Sequence, residues 1–332
     1  MIHRRRFVGL AAATALAAST LGAFAQDATR IALVPKALGI GFFEAAEKGA
    51  QEAAEEIGNV EIIYTGPTST TAEGQIETIN ALIAQRVDAI AVSANDPDAL
   101  VPALKRAMDR GITVVSWDSG VAPEGRQANL NPSSIPLIGK MNVELAAAAM
   151  PEGKTRAVVL SATPTSTNQN AWIEAMRAVE GDYDNVEIVT TVYGDDLSDK
   201  SYREAQALLQ SDPDLGVIIA PTTVGILAAA QAVTDAGKIG EVFVTGLGLP
   251  SEMAGHVDSG AVKSFAIWNP IDLGYSAATM AYNLVQDPSL AESGAIPIGR
   301  MGEVALDENG EGAMSDPFVY DASNVNDFKD IF

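Results

Sequence analysis

The chain has 332 residues, no cysteine, two histidines and a net charge of −22 at pH 7. The lack of cysteine excludes a disulfide framework, and with only His3 and His256 no transition-metal centre is expected. A surface this acidic repels nucleic acid and anionic membrane, and it favours a neutral ligand over an anionic one.

The first segment, "MIHRRRFVGLAAATALAASTLGAFA", reads as a signal peptide over residues 1–25. It has a basic start, an Ala-rich apolar stretch and a small-x-small site before Gln26. Arg4, Arg5 and Phe7 fit a twin-arginine leader as well as an ordinary secretory one. No later run reaches 18 uninterrupted apolar residues, so a soluble exported protein is expected. The remainder is long for one core and predicts two domains.

Short apolar runs then alternate with helical patterns. The runs are "IALVP", "EIIYT", "DAIAVS", "ITVVSWD", "RAVVLS", "VEIVTTV", "GVIIAP", "EVFVTG" and "KSFAIW". Successive apolar positions predict parallel strands covered on both faces. A helix is predicted over 42–57, with Phe42, Phe43, Ala46, Ala50, Ala53, Ala54 and Ile57 on one side. Ile76, Ile79, Leu82 and Ile83 mark a second helix, and Leu100, Ala103, Leu104 and Ala107 a third. Gly and Pro punctuate the joints. The rhythm is βαβα, twice over, so the expected fold class is α/β with two open, mostly parallel sheets.

Ligands of such sheets bind beyond the carboxyl ends of the strands. The residues found there are Lys36, Asp118, Asn168, Gln169, Trp172, Thr222, Thr223, Trp268 and Asn269. All three tryptophans of the chain, Trp117, Trp172 and Trp268, fall in these zones. One carboxylate, one ammonium, amides, hydroxyls and aromatic faces are the set a neutral sugar needs. Each member alone has a plain structural role open to it, such as core packing for a tryptophan or an Asx turn for Asp118. Their shared placement carries the reading.

Other motifs lead elsewhere or nowhere. "GLGLPS" lacks the third glycine of a dinucleotide fingerprint, with Ser251 in its place. Asp195, Asp196 and Asp199 in "YGDDLSDKSY" read as a turn and a helix start capped by Ser198 or Asp199. "DENGEG", 307–312, is too short for a calcium loop and reads as a solvated hairpin turn. Asp118 is then the only well-placed carboxylate, so no enzyme is expected.

Several long strings resemble the ribose-type periplasmic sugar-binding proteins of ABC transporters. They are "VPKALGIGFFEAAEKGAQEAAEEIG", "SANDPDALVPALKRAMDRGITVVSWDSG", "TSTNQNAW", "IIAPTTVGILAAAQAV" and "FAIWNPIDLGYSA". "YTGPTSTTAEGQIE", "YGDDLSDKSYREA", "TGLGLPSEMAG" and "MSDPFVY" are most similar to the rhamnose-binding subgroup, and the chain also resembles autoinducer 2 binders. The resemblance implies two Rossmann-like lobes joined by a three-strand hinge, with the ligand in the interlobe cleft. Expected lobes are 26–129 plus 271–304 and 130–270 plus 305–332. By position it assigns Lys36 and Asp118 as first-lobe contacts and Asn168 and Gln169 as second-lobe contacts. Phe42 and Phe43 occupy the place of ring-stacking aromatics, one ring expected on the core and the other toward the ligand.

Departures from the pattern shape the ligand expectation. Autoinducer 2 binders carry aspartates where this chain has Asn168, Thr222 and Asn269. Ribose-type binders carry an aspartate after the "VTG" strand, where this chain has Gly246-Leu247-Gly248. A neutral deoxyhexose, L-rhamnose, is therefore favoured, with autoinducer 2 or another pentose or hexose as the alternative. Leu247, Leu249, Trp172 or Trp268 are candidates for the apolar wall its methyl group needs. The resemblance further implies a periplasmic location, a permease partner in the inner membrane, a monomer, no cofactor and no catalysis.

Overall fold

The computed structural model describes residues 28–332, so the expected leader lies outside the described residues. Two βα layers follow each other. The first runs β1 (Thr29–Val34), α1 (Gly41–Ile57), β2 (Val60–Tyr64), α2 (Ala72–Gln85), β3 (Ala89–Val92), α3 (Val101–Met108), β4 (Thr113–Trp117) and β5 (Ala128–Asn131). The second runs α4 (Ile135–Ala149), β6 (Arg156–Ser161), α5 (Thr167–Val179), β7 (Glu187–Tyr193), α6 (Ser198–Ser211), β8 (Leu215–Ala220), α7 (Thr223–Asp235), β9 (Phe243–Gly246), α8 (Pro250–Ser259) and β10 (Ser264–Ile267). The chain closes with α9 (Pro270–Gln286), β11 (Ala295–Pro297), β12 (Glu303–Ala305), β13 (Glu311–Ala313), β14 (Phe318–Asp321) and α10 (Val325–Phe328).

The first sheet has the order β13-β5-β4-β3-β1-β2, parallel throughout. The second has the order β7-β6-β8-β9, also parallel. A parallel bridge, Leu247 to Ala266, carries it on to β10, which pairs antiparallel with β14. β3, β4 and β8 are buried at every residue, as strands covered on both faces must be. In each sheet the order reverses at its first strand: β1 lies between β2 and β3, and β6 between β7 and β8. A crevice opens at such a reversal, and in both lobes it faces the other lobe.

The chain passes between the lobes after β5, after β10 and after β13. The expected division puts 305–332 in the second lobe. β13 departs from it: Glu311–Ala313 pairs with Asn129–Asn131 in the first sheet. α9 follows a second-lobe strand but packs along α1 of the first lobe. Two glycines permit that approach. A Cβ at Gly49 would lie 1.7 Å from the Ile271 carbonyl oxygen, and one at Gly274 would lie 1.8 Å from that of Ala46.

The "DENGEG" stretch forms a tight turn. Asp307 Oδ1 accepts from the amides of Asn309 and Glu311 at 2.8 and 2.9 Å, and β13 begins at Glu311. Among the described residues no acidic or histidine cluster is arranged to hold a metal ion, and no helix is long and apolar enough to cross a membrane.

Candidate functional site: an interlobe cavity

The first-lobe half is built on the ends of β1, β3 and β4. Pro35 stops β1, and Lys36 follows with only 2 % of its surface exposed. Its backbone is clamped from behind. Asn95 Nδ2 donates to the Lys36 carbonyl at 2.8 Å, and Gln75 Nε2 donates to that of Pro35 at 3.0 Å. Gln75 Oε1 in turn accepts from the Asn95 amide at 2.8 Å. Asp118 follows β4 with φ +60°, a left-handed conformation that aspartate tolerates better than most residues. Its carboxylate accepts from Ser93 Oγ at 2.7 Å, which leaves it facing the second lobe.

Phe42 and Phe43 open α1 and meet edge to face at 5.2 Å between ring centroids. Both line the cavity, but they lean on different partners. Phe43 packs on Trp117, a wholly buried first-lobe residue, at 5.7 Å. Phe42 packs across the cleft on Trp268 at 6.1 Å. Trp117 is therefore core, whereas Trp172 and Trp268, 5.7 Å apart, form one aromatic wall of the cavity.

The second-lobe half mirrors this construction. Gln169 Oε1 accepts from Ser161 Oγ and the Ala162 amide, both at 2.8 Å, which fixes α5 to the end of β6. Asn168, one residue earlier, projects into the cleft. Lys36 Nζ donates to its Oδ1 at 2.9 Å, and its Nδ2 donates to Asp118 Oδ1 at 3.1 Å. Thr222 and Thr223 sit where β8 passes into α7 and also line the cavity, with Pro221, Val224, Leu247 and Ile267.

Several expectations need correcting. Asn269 does not line the cavity. Its Oδ1 accepts from the Ile271 amide at 2.9 Å and caps α9. Leu249 likewise is buried outside the lining. Asp196, read from sequence as part of a turn, is a cavity residue, and neither Ser198 nor Asp199 caps α6, whose N-cap is Leu197. Asp118 is thus one of two cavity carboxylates. Gln75, Ser93 and Asn95 were also missed. A signal existed for Gln75, a polar residue one turn before Ile79 in an otherwise apolar helical stripe.

The lobes are closed on each other. Besides the Lys36–Asn168–Asp118 bridge, Thr165 Oγ1 donates to the Asn95 carbonyl at 2.8 Å and Thr167 Oγ1 to that of Gly120 at 3.0 Å. The space between the lobes is a small cavity lined by residues of both. Burial pushes the carboxyls of Asp118 and Asp196 above the ordinary range, and the Lys36 ammonium draws both back down. Serine and threonine hydroxyls reach both carboxylates, and the walls are aromatic and aliphatic. The arrangement suits a compact, neutral, hydroxylated ligand with apolar faces.

Comparison with known proteins agrees with this geometry. Residues 31–289 match the periplasmic binding protein domain. The chain is 30% identical over 240 residues to a D-ribose/D-allose-binding protein of Pseudomonas aeruginosa, covering 69% of this chain and 73% of that one. It superposes with a TM-score of 0.85 on an ABC transporter solute-binding protein from Clostridium phytofermentas with bound L-rhamnose. Identity there is 34%, over 92% of this chain and 99% of that one. LsrB from Clostridium saccharobutylicum in complex with AI-2 has the same fold, at a TM-score of 0.84 and 24% identity over 90% of this chain and 99% of that one. With its two parallel sheets, three crossings and closed interlobe cavity, this chain belongs to the periplasmic binding protein family, in the two-lobed ribose type.

Proposed function

We propose that the chain is the solute-binding protein of an ABC importer and that its ligand is L-rhamnose. The observation carrying this reading is the cavity itself: acid, ammonium and amide groups from both lobes converge between aromatic walls. The identity of 34% to a protein holding L-rhamnose supports the choice among sugars. Asp118, Asn168 and Lys36 bind ring hydroxyls. Leu247, Trp172 and Trp268 cover the methyl group and the C–H face.

Ligand contacts both lobes only in the closed form, so its binding shifts the population toward closure. An inner-membrane permease reads the closed shape of a monomer in the periplasm. No bond is made or broken. Membership in a binding family carries that statement, since the cavity does hold two carboxylates.

Another aldose is the second reading, favoured by the D-ribose/D-allose-binding relative. A thermal-shift and calorimetry panel of L-rhamnose, D-ribose, D-allose and autoinducer 2 separates the readings. L-rhamnose is expected to raise the melting temperature most at equal concentration. A larger shift with any other member, and none with L-rhamnose, sinks the assignment.

A further inference from the structure

The two cavity carboxylates differ in how the protein uses their oxygens. Both oxygens of Asp118 are engaged, Oδ1 by Asn168 and Oδ2 by Ser93. Asp196 has one engaged oxygen: Thr222 Oγ1 donates to Oδ1 at 2.5 Å. No donor among the described residues reaches its Oδ2, although the side chain lines the cavity. The side chain is half-buried, so this oxygen is open to a ligand hydroxyl entering the cavity, and a charged acceptor makes the stronger kind of hydrogen bond.

The backbone around Asp196 is tightly fixed. Asp195 and Asp196 have φ of +55° and +50°, two successive left-handed residues that are not glycine. The turn is pinned to the second sheet: the Gly194 amide donates to the Ser161 carbonyl at 2.8 Å and the Asp195 amide to that of Ala162 at 2.9 Å. Gly194 lies so close to Ser201 that a Cβ there would sit 2.0 Å from its hydroxyl. From the first lobe, Thr70 Oγ1 donates to the Asp195 carbonyl at 2.6 Å. Strained backbone persists where surrounding contacts fix it and a function uses it. One turn thus carries an interlobe contact at one residue and a half-satisfied carboxylate at the next.

We propose that Asp196 is a specificity-determining residue, accepting from the second lobe a hydroxyl hydrogen of a neutral sugar whose other polar groups meet Asp118 of the first lobe. The proposal rests on the sugar-binding reading above and extends it. Thr222 is then a positioning residue that orients the Asp196 carboxylate. The ligand class narrows to neutral polyols with a hydroxyl for each of the two carboxylates. A sugar acid would bring a third carboxylate to a cavity with one ammonium, Lys36, and is excluded by repulsion.

Calorimetry of Asp196→Asn, Asp118→Ala and Asp199→Asn with L-rhamnose, D-ribose and D-allose tests the proposal, with melting of each ligand-free protein measured alongside. Asp196→Asn is expected to weaken the tightest sugar at least about tenfold, the loss of a charged acceptor. Asp199, exposed on the first turn of α6 and outside the lining, should change affinity by less than about twofold on replacement by Asn. Ligand-free Asp196→Asn should melt no lower than wild type, because a strained, half-satisfied charge is removed. Wild-type affinity in Asp196→Asn beside failed binding in Asp118→Ala overturns the role of Asp196 and leaves the sugar site standing. A fall in ligand-free melting temperature that accompanies the lost affinity makes Asp196 structural and overturns the proposal. Failure of all three sugars to bind the wild-type protein removes both readings.

Discussion

Lys36 and Asn168 lie 132 residues apart in sequence, yet the lysine ammonium donates to the asparagine carbonyl at 2.9 Å across the interlobe cleft. The same amide donates to Asp118 at 3.1 Å. One asparagine of the second lobe therefore bridges the only ammonium of the cavity lining and the first-lobe carboxylate. Closure assembles the polar end of the site, and neither lobe holds it alone.

Asp118→Ala removes the carboxylate end of that bridge. It leaves Ser93 Oγ and Asn168 Nδ2 without their acceptor. The expected cost in ligand affinity is about 2–3 kcal/mol, roughly a hundredfold. Calorimetry with the preferred sugar measures it; a loss under about threefold would refute the site.

Thr165 and Thr167 contact the first lobe only when the cleft is shut. The double change to valine removes two hydroxyl donors while nearly preserving shape. Each bond contributes about 1 kcal/mol to the closed form. Affinity should fall about tenfold or somewhat more, with the ligand-free melting temperature changed by less than about 2 °C. A large stability loss with unchanged affinity would show that these hydroxyls serve the lobe and not its closure.

Glu252 of α8 faces Gly41 across the lobes; a Cβ at Gly41 would stand 3.0 Å from its Oε1. Burial pushes its carboxyl up to about 6, from an ordinary 4.5. Between these values the folded protein binds more protons than the unfolded chain, so stability falls as pH rises through 4.5 to 6 and stays at the lower level above. Glu252→Gln should raise stability at pH 7.5 by on the order of 1–2 kcal/mol and give little gain at pH 4. Denaturant melts at the two pH values check this; equal gains at both would refute the titration.

Gly49 admits the backbone of α9 against α1. Gly49→Ala places a methyl group inside a carbonyl oxygen's radius, and the helices must separate. A destabilisation of about 3 kcal/mol is expected, near the upper end for overpacking. Denaturant unfolding measures it. A change below about 1 kcal/mol would mean that the α1–α9 contact adjusts freely.

Sequence by itself determined the α/β rhythm, because runs such as "ITVVS" and "GVIIA" are apolar at every position and suit only strands covered on both faces. It also determined most of the cavity lining, because residues just past such strands meet at the crevice whatever the helices do. β5 and β13 stayed hidden. "ANLN" and "EGA" have no strand pattern of their own, and they extend only by pairing with each other and with β4. The roles within the site needed tertiary structure. Asn269 looked like a ligand group but caps α9, while Asp196 looked like a turn residue but lines the cavity. The same few polar types serve caps, turns and sites, and local sequence does not separate them. Phe42 and Phe43 were legible as a pair. Only the placement of Trp117 in the first lobe and Trp268 in the second decided which ring leans on the core and which reaches across the cleft.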